Sequence, residues 1–406
     1  MLIEKLSRQS RAVVETAEQI AREVVEPLAE TWDRENRFPH ELFAALHTAR
    51  LNAMCVPTAQ GGLGLGPDTD DPLPVWLVTK TLATADSSSC HSQQVHTNMT
   101  HPVALLGTPE QQERYLRAVA AEGAIFGGWG SEQDGRPPAG GSRAFTLARK
   151  VKGGYEITGK KSYSTNAGAA QYAVVFAFPE GVPNPFSHLL LCLVDCASPG
   201  VTIHPTWWEQ ATGMRATVSH EVQFDRVFVS DEAMIGPPGA YWTQQVQARY
   251  LPQFSANFQG VGAHVFNYGM AYVRDRRRVN DPFVQHYLAE ARIALVTAEL
   301  LLGQTADLYR ERRYPEAFHY SRMLRAYSEM AMRRVIDLVQ ACCGSSIYLK
   351  PSPLERVLRD WQFYCRHENL DLILTAIGRS EFALGGEDSP EAFGFGRATL
   401  PGTAKS

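Results

Sequence analysis

Two residues able to move protons stand side by side late in the chain, His367 and Glu368, a few positions after Arg359-Asp360. An imidazole changes charge near neutrality, and burial can raise a carboxylate toward the same range, so either is a candidate general base. Read as one helix, adjacent residues point about 100° apart, so only one of the two can face a reaction centre squarely. Phe363, Tyr364, His367 and Asp371 share a face by three-and-four spacing, with Glu368 aligned with Tyr364 and Asp371 at its edge. The structural alternative is a packed histidine beside a Glu368–Arg366 pair.

His91, His96 and His101, with Asn98 among them, recur at intervals of five in a helix-like stretch. That interval does not place them on one helical face, and only Cys90 could add a ligand, so the set does not read as a zinc site. His220 has no second ligand at ligand spacing and reads as a structural histidine; no metal is expected. The glycines of residues 56–65 lack a preceding strand and a lysine, which makes this stretch a tight connection rather than a phosphate loop. Trp129, Trp207 and Trp208 with Tyr163 could furnish an aromatic pocket suited to a cyclic or aromatic substrate.

A chain of 406 residues, 44% hydrophobic, can bury a large core and divides naturally into two or three domains. The net charge of -4 argues against nucleic-acid binding, and the short basic cluster at residues 274–278 does not change that. Seven cysteines without a Cys-x-x-Cys pair suit reduced thiols in a cytoplasmic protein. No apolar run approaches the ~18 residues of a membrane span, and the N-terminus moves straight into a charged helical pattern, so neither a membrane nor a signal peptide is expected.

These residues must be positioned by three kinds of text. Residues 1–124 read as helical. From 125 to 236 the period changes to two: a hairpin turning at Gly153-Gly154 is followed by strands near 172–178, 188–194, 201–204 and 222–229, which predicts an antiparallel sandwich or barrel. Residues 237–385 return to helix. Tyr287, Ala291, Ala294, Ala298, Leu301, Thr305 and Leu308 form one stripe, and Leu324, Tyr327, Ala331, Val335, Leu338 and Cys342 another, which predicts a four-helix bundle. Residues 386–406 read as a loose tail.

Several motifs within this order carry a family likeness. Pro353-Leu354-Glu355-Arg356 precedes Arg359-Asp360; Gly159-Lys160-Lys161-Ser162-Tyr163-Ser164-Thr165-Asn166 matches Gly-x-Lys-x-Trp-Ile-Thr-Asn; Gly213-Met214-Arg215-Ala216-Thr217 matches Gly-x-Arg-(Ala/Gly)-(Thr/Ser). Nearly the whole chain resembles the acyl-CoA dehydrogenase superfamily, an α+β architecture of helical domain, β domain and helical bundle. The resemblance implies a flavin, FAD rather than FMN. Trp129, Ser131, Tyr163, Ser164 and Thr165 would contact its ring, with Ser164 or Thr165 donating to N5. Arg276 would hold the pyrophosphate, although Val279 and Asn280 replace the family's Phe and Gly. Gln340 and Gly344 keep the ends of a motif that reaches the FAD of a neighbouring subunit, implying a homotetramer or dimer. His96, Asn98 and Arg215 would lie near the substrate.

In this frame Glu368 falls on the dehydrogenase base, and His367 on a histidine of the flavin-dependent monooxygenase branch. Ser131-Glu132-Gln133, in place of Thr-Glu-Pro, and Asp281-Pro282-Phe283-Val284-Gln285 both depart in the monooxygenase direction. The expectation is an FAD-dependent oxidoreductase that activates O2 to oxygenate a small cyclic substrate, free or as a CoA ester. His367 would be its base or peroxyflavin partner, and a flavin reductase a candidate partner. The alternatives are an acyl-CoA dehydrogenase using Glu368, both steps combined on one acyl-CoA, or a flavin-free structural relative.

Overall fold

The computed structural model describes residues 2–132, 146–182 and 185–382, the side chains of residues 185 and 186 excepted. Gln133 and the expected tail lie outside them. The N-terminal helices are α1 (Arg8–Ile20), α2 (Glu26–Glu35), α3 (His40–Thr48), α4 (Leu73–Ala85), α5 (Ser87–Leu106), α6 (Pro109–Gln111) and α7 (Arg117–Glu122). The helix central to the site, α5, has no apolar stripe. Its residues 87–103 are all buried although most are polar, because the strand Phe126–Trp129 covers it on one side and α4 and the long helix Val246–Asp275 on others. Asp86 caps it, its carboxylate accepting from the Ser89 N–H at 2.8 Å.

Among the described residues seven strands follow: β1 (Phe126–Trp129), β2 (Leu147–Val151), β3 (Gly154–Ser164), β4 (Tyr172–Pro179), β5 (Leu190–Asp195), β6 (Val201–His204) and β7 (His220–Ser230). Their order is β1-β4-β2-β3-β7-β6, with β5 on the other edge of β4. The β2–β3 hairpin turns where the sequence places it, with Gly153 at φ +79°. The sheet is mostly antiparallel, but β1 and β2 both run parallel to β4, pairing with its first and last residues respectively. Period-two patterning reports which face a residue takes and carries no information on strand direction.

The C-terminal helices are α8 (Ala240–Thr243), α9 (Val246–Asp275), α10 (Pro282–Arg310), α11 (Tyr314–Cys343), α12 (Pro353–Tyr364) and α13 (Leu370–Glu381). The two expected stripes lie on α10 and α11, which pack on each other and on α9. Close approach of α9 and α11 needs Gly269, where a Cβ would stand 2.8 Å from Val339 Cγ1. Among the described residues, no helix is long and apolar enough to cross a membrane.

One expectation fails at the decisive place. Helix α12 stops at Tyr364, and Asn369 starts α13 by accepting from the N–H groups of Asp371 and Leu372 at 3.0 and 3.3 Å. His367 and Glu368 therefore sit in the turn between two helices, and the single helical face drawn through Phe363, His367 and Asp371 does not exist.

Candidate active site

A cavity of about 420 Å³ opens where the end of β3, the loop before β7, α5 and the α12–α13 turn converge. Its aromatic wall begins at Tyr163, which lies within a slip in the β3–β7 register between Lys161 and Ser164 and adopts φ +55°, a strained conformation for a bulky residue. That backbone turns the ring outward, 42% exposed, with Trp207, Trp208 and Phe363 edge-on to it at centroid distances of 4.9, 6.2 and 6.2 Å.

Beside this wall runs a row of hydroxyls. Thr217 donates to the Met214 carbonyl at 2.7 Å; its one proton thus used, it accepts from Ser219 at 2.7 Å, and Ser219 in turn accepts from Thr165 at 2.9 Å. Thr165, Thr217 and Ser219 all line the cavity. With its proton directed to Ser219, Thr165 offers lone pairs, so the expected Thr165 donation toward a flavin N5 is not what this arrangement supports. The loop carrying the row is fixed to α12: Met214 N–H donates to Asp360 at 2.6 Å, and a Cβ on Gly213 would lie 2.6 Å from the Arg359 carbonyl.

The third wall carries the proton-transfer groups. His91, Tyr364 and His367 line it, the His91 ring 5.5 Å from His367 and 4.6 Å from Tyr364, while Phe254 backs His367 at 4.9 Å. His91 Nδ1 is 3.1 Å from the Tyr364 hydroxyl, which donates to Gln94 Oε1 at 2.8 Å. Burial pushes the His91 pKa well below the usual imidazole range, and His367 pushes it further down. His367 is exposed and lines the cavity; desolvation by the protein packed around it lowers its pKa, against an opposing pull from Glu368.

Glu368 lies off the cavity lining. Its carboxylate accepts from Arg325 Nε at 2.8 Å and Gln247 Nε2 at 3.4 Å, and Arg325, fully buried, also donates to Glu329 at 2.8 Å. The structural alternative, Glu368 paired with an arginine such as Arg366, is met in kind by Arg325, 43 residues away.

Of the other expected site residues, Ser131, Tyr163 and Thr165 reach the cavity. Glu132 joins them there, held by buried Lys161 at 2.7 Å, whose pKa burial lowers while Glu132 opposes the shift. The rest stand elsewhere for identifiable reasons. Trp129 is sealed in the core, donating to the Thr165 carbonyl at 3.2 Å. Ser164 is buried behind the wall, its hydroxyl without a hydrogen-bond partner. His96 donates through Nε2 to the Asn52 carbonyl at 2.8 Å and accepts the Phe126 N–H at Nδ1 at 3.0 Å, so neither nitrogen is left for a substrate. Asn98 is buried away from the cavity lining, and Arg215 holds the carbonyls of Asp33 and Ala211 at 2.7 and 2.9 Å.

Arg276, Gln340 and Gly344 lie at a separate corner, where the ends of α9 and α11 meet through Tyr272 and Ser346 at 3.1 Å. Arg276 stacks over Tyr272 at 5.0 Å, and Gln340 donates to Tyr348 at 2.7 Å. His91, Thr217 and Ser219 are site residues that the expectations omit. His91 was visible within the histidine series, and Thr217 and Ser219 within the Gly213–His220 phrase, but only folding puts them on one surface. No cluster suited to a metal occurs among the described residues.

Residues 7–123, 128–227 and 262–372 match the N-terminal, middle and C-terminal domains of acyl-CoA dehydrogenase respectively. The chain belongs to the acyl-CoA dehydrogenase superfamily of flavin-dependent oxidoreductases. It is 26% identical over 366 residues to a probable acyl-CoA dehydrogenase, fadE25, of Mycobacterium leprae, covering 88% of this chain and 90% of that one. It is also 26% identical to cyclohex-1-ene-1-carbonyl-CoA dehydrogenase of Geobacter metallireducens, over 87% and 93% of the two chains. Among solved structures, dibenzothiophene monooxygenase TdsC from Paenibacillus sp. A11-2 superposes with a TM-score of 0.80 at 18% identity, covering 92% and 98% of the chains. Butyryl-CoA dehydrogenase from Megasphaera elsdenii gives 0.82 at 19%, covering 93% and 99%. The superfamily fold therefore spans both chemistries, and these similarities do not choose between them.

Proposed function

We propose that this protein is an FAD-dependent oxidoreductase that places one atom of O2 in a small cyclic or aromatic substrate and releases the other as water. His367 is its base. The observation that carries this reading is the separation of two sequence neighbours: His367 faces the cavity, whereas Glu368 is held by Arg325 outside it. An imidazole whose enclosure favours the neutral form can take a proton from the substrate. Tyr163, Trp208 and Phe363 provide flat apolar contact for a ring, and the hydroxyl row provides acceptors at its edge.

This combination of an aromatic wall and a hydroxyl row also fits a flavin, with Ser131, Tyr163 and Thr165 against the ring. Bound in reduced form, the flavin supplies two electrons and the site of O2 activation. The electrons come from a separate flavin reductase. Gln340 and Gly344 serve the site of a second copy, and self-association is supported by Phe283, Ile293 and Leu300, which are 70%, 66% and 57% exposed on α10. Ile293 and Leu300 are seven residues apart and so lie on one helical face.

The names of the curated relatives support a second reading, an acyl-CoA dehydrogenase, which would require Glu368 to leave Arg325. Anaerobic mixing with acyl-CoA thioesters separates the two. The flavin absorbance should stay unchanged, and immediate bleaching would sink the oxygenase reading. After prior reduction, admission of ¹⁸O2 with a panel of cyclic compounds should give a product carrying one labelled atom.

A further inference from the structure

Behind His91 a chain of hydrogen bonds runs from the cavity into the protein, and its far end fixes the direction of every link. The carbonyl of Ser87 can only accept, so the Asn257 amide atom 3.4 Å away is the NH2 group; the amide oxygen takes the Ser87 hydroxyl at 2.7 Å. The same NH2 meets Gln94 at 3.2 Å, so the Gln94 atom there is the carbonyl oxygen. The Tyr364 hydroxyl, 2.8 Å from that oxygen, must donate to it. Its only proton used, the Tyr364 oxygen accepts from His91 Nδ1–H at 3.1 Å.

Burial keeps the His91 ring from taking a second proton, and Nε2 is left as a bare lone pair. Among the described residues the hydrogen-bonding neighbours of the His91 ring are Tyr364, at Nδ1, and Gln94, and the ring lines the cavity. Reversing the Gln94 amide would set one NH2 against another, which explains why Gln94 keeps its present orientation although its own Nε2 has no partner. Every member of the chain is buried, Gln94 and Asn257 completely, so water does not loosen these assignments.

We infer that Gln94 and Tyr364 are positioning residues that hold His91 as the Nδ1–H tautomer, giving the cavity a fixed acceptor that selects ring substrates bearing an N–H or O–H donor. The substrate class rests on the cavity being the substrate site, as proposed above; the tautomer does not. A site built to receive such a proton discriminates against an analogue that lacks it, because its own polar group is then left unpaired.

Selective ¹⁵N-histidine labelling of the flavin-loaded protein tests the tautomer. The His91 signals, identified by their loss in His91→Gln, should show a protonated Nδ1 and a bare Nε2. Gln94→Glu keeps the acceptor and should keep the tautomer, whereas Tyr364→Phe should release it. For the ligand class, 2-naphthol should bind about tenfold tighter than 2-methoxynaphthalene, and Tyr364→Phe should remove that preference. A protonated Nε2 on His91 in the unsubstituted protein overturns the inference. So does a preference for naphthol that is absent from the start or survives Tyr364→Phe. Flavin bleaching by thioesters would overturn the oxygenase reading and leave the tautomer assignment standing.

Discussion

His367 and Glu368 are consecutive, yet the turn after α12 sends them into regions built on different physics. On the His367 side the rings of Phe254, His91 and Tyr364 pack together and both imidazole pKa values are lowered, although Glu368 and Arg325 still act on His367 from behind. On the Glu368 side, fully buried Arg325 lies over Phe258 at 4.4 Å between the carboxylates of Glu368 and Glu329, and Arg333 braces Glu329 from outside. The first region leaves proton-transfer atoms open to a ligand; the second commits its carboxylates to Arg325, which holds α11 to the turn. Residue type alone cannot assign a base, because a carboxylate already committed to a buried guanidinium is a structural element.

The largest test of this contrast is kinetic. His367→Ala should lower turnover by about 10²- to 10⁴-fold, the usual reach of a general base, with flavin uptake retained, while Glu368→Gln should cost less than about tenfold. The reverse ranking would return the base to Glu368. Next, Arg325→Leu leaves Glu368 without its cation and Glu329 with Arg333 alone, and should destabilise the fold by roughly 3–5 kcal/mol in urea titrations. A loss below about 1 kcal/mol would mean that the ion cluster is not what anchors Glu368.

A third test uses pH. Burial depresses His96 to about 4, so the folded state keeps it neutral where the unfolded chain, titrating near 6.5, takes up a proton. Its contribution to stability is complete above pH 6.5 and is lost as pH falls from there toward 4, by at most roughly 3 kcal/mol. His96→Gln should flatten that decline, and an unchanged slope would assign it to other groups. The smallest effect is expected at the hydroxyl row, where Thr217→Val removes the acceptor for Ser219 and should cost about 1 kcal/mol; a neutral result would show that Ser219 finds another acceptor.

Much of the fold was legible because periodicity reports burial. The stripes of α10 and α11 and the strands at 172–178, 201–204 and 222–229 correspond to elements in the structure. Helix α5 was not legible in that way, since its buried face is polar and satisfied by side chains from distant elements. His367 could be singled out by its type and neighbourhood. That it lines the cavity while Glu368 does not could not be read, because this depends on Arg325 and on the break after Tyr364. That break had a local signal, Asn369 two residues before Asp371, which the three-and-four pattern through the turn obscured. Trp129, Ser164 and His96 have types that suit a ligand, but a closed hydrogen-bond geometry or a position behind the wall withdraws them.

His96 has a further consequence through the two backbones it joins. One ring bonds the segment at Asn52 to the first residue of β1, and nearby Asn166 extends its NH2 to the carbonyls of both Ser92 and Phe126. The seam between the N-terminal helices and the sheet is thus stitched by side chains from both sides. Chimeras that exchange the sheet between relatives should therefore carry α5 and the Asn52 segment with it: the unit of recombination is the seam, not the domain.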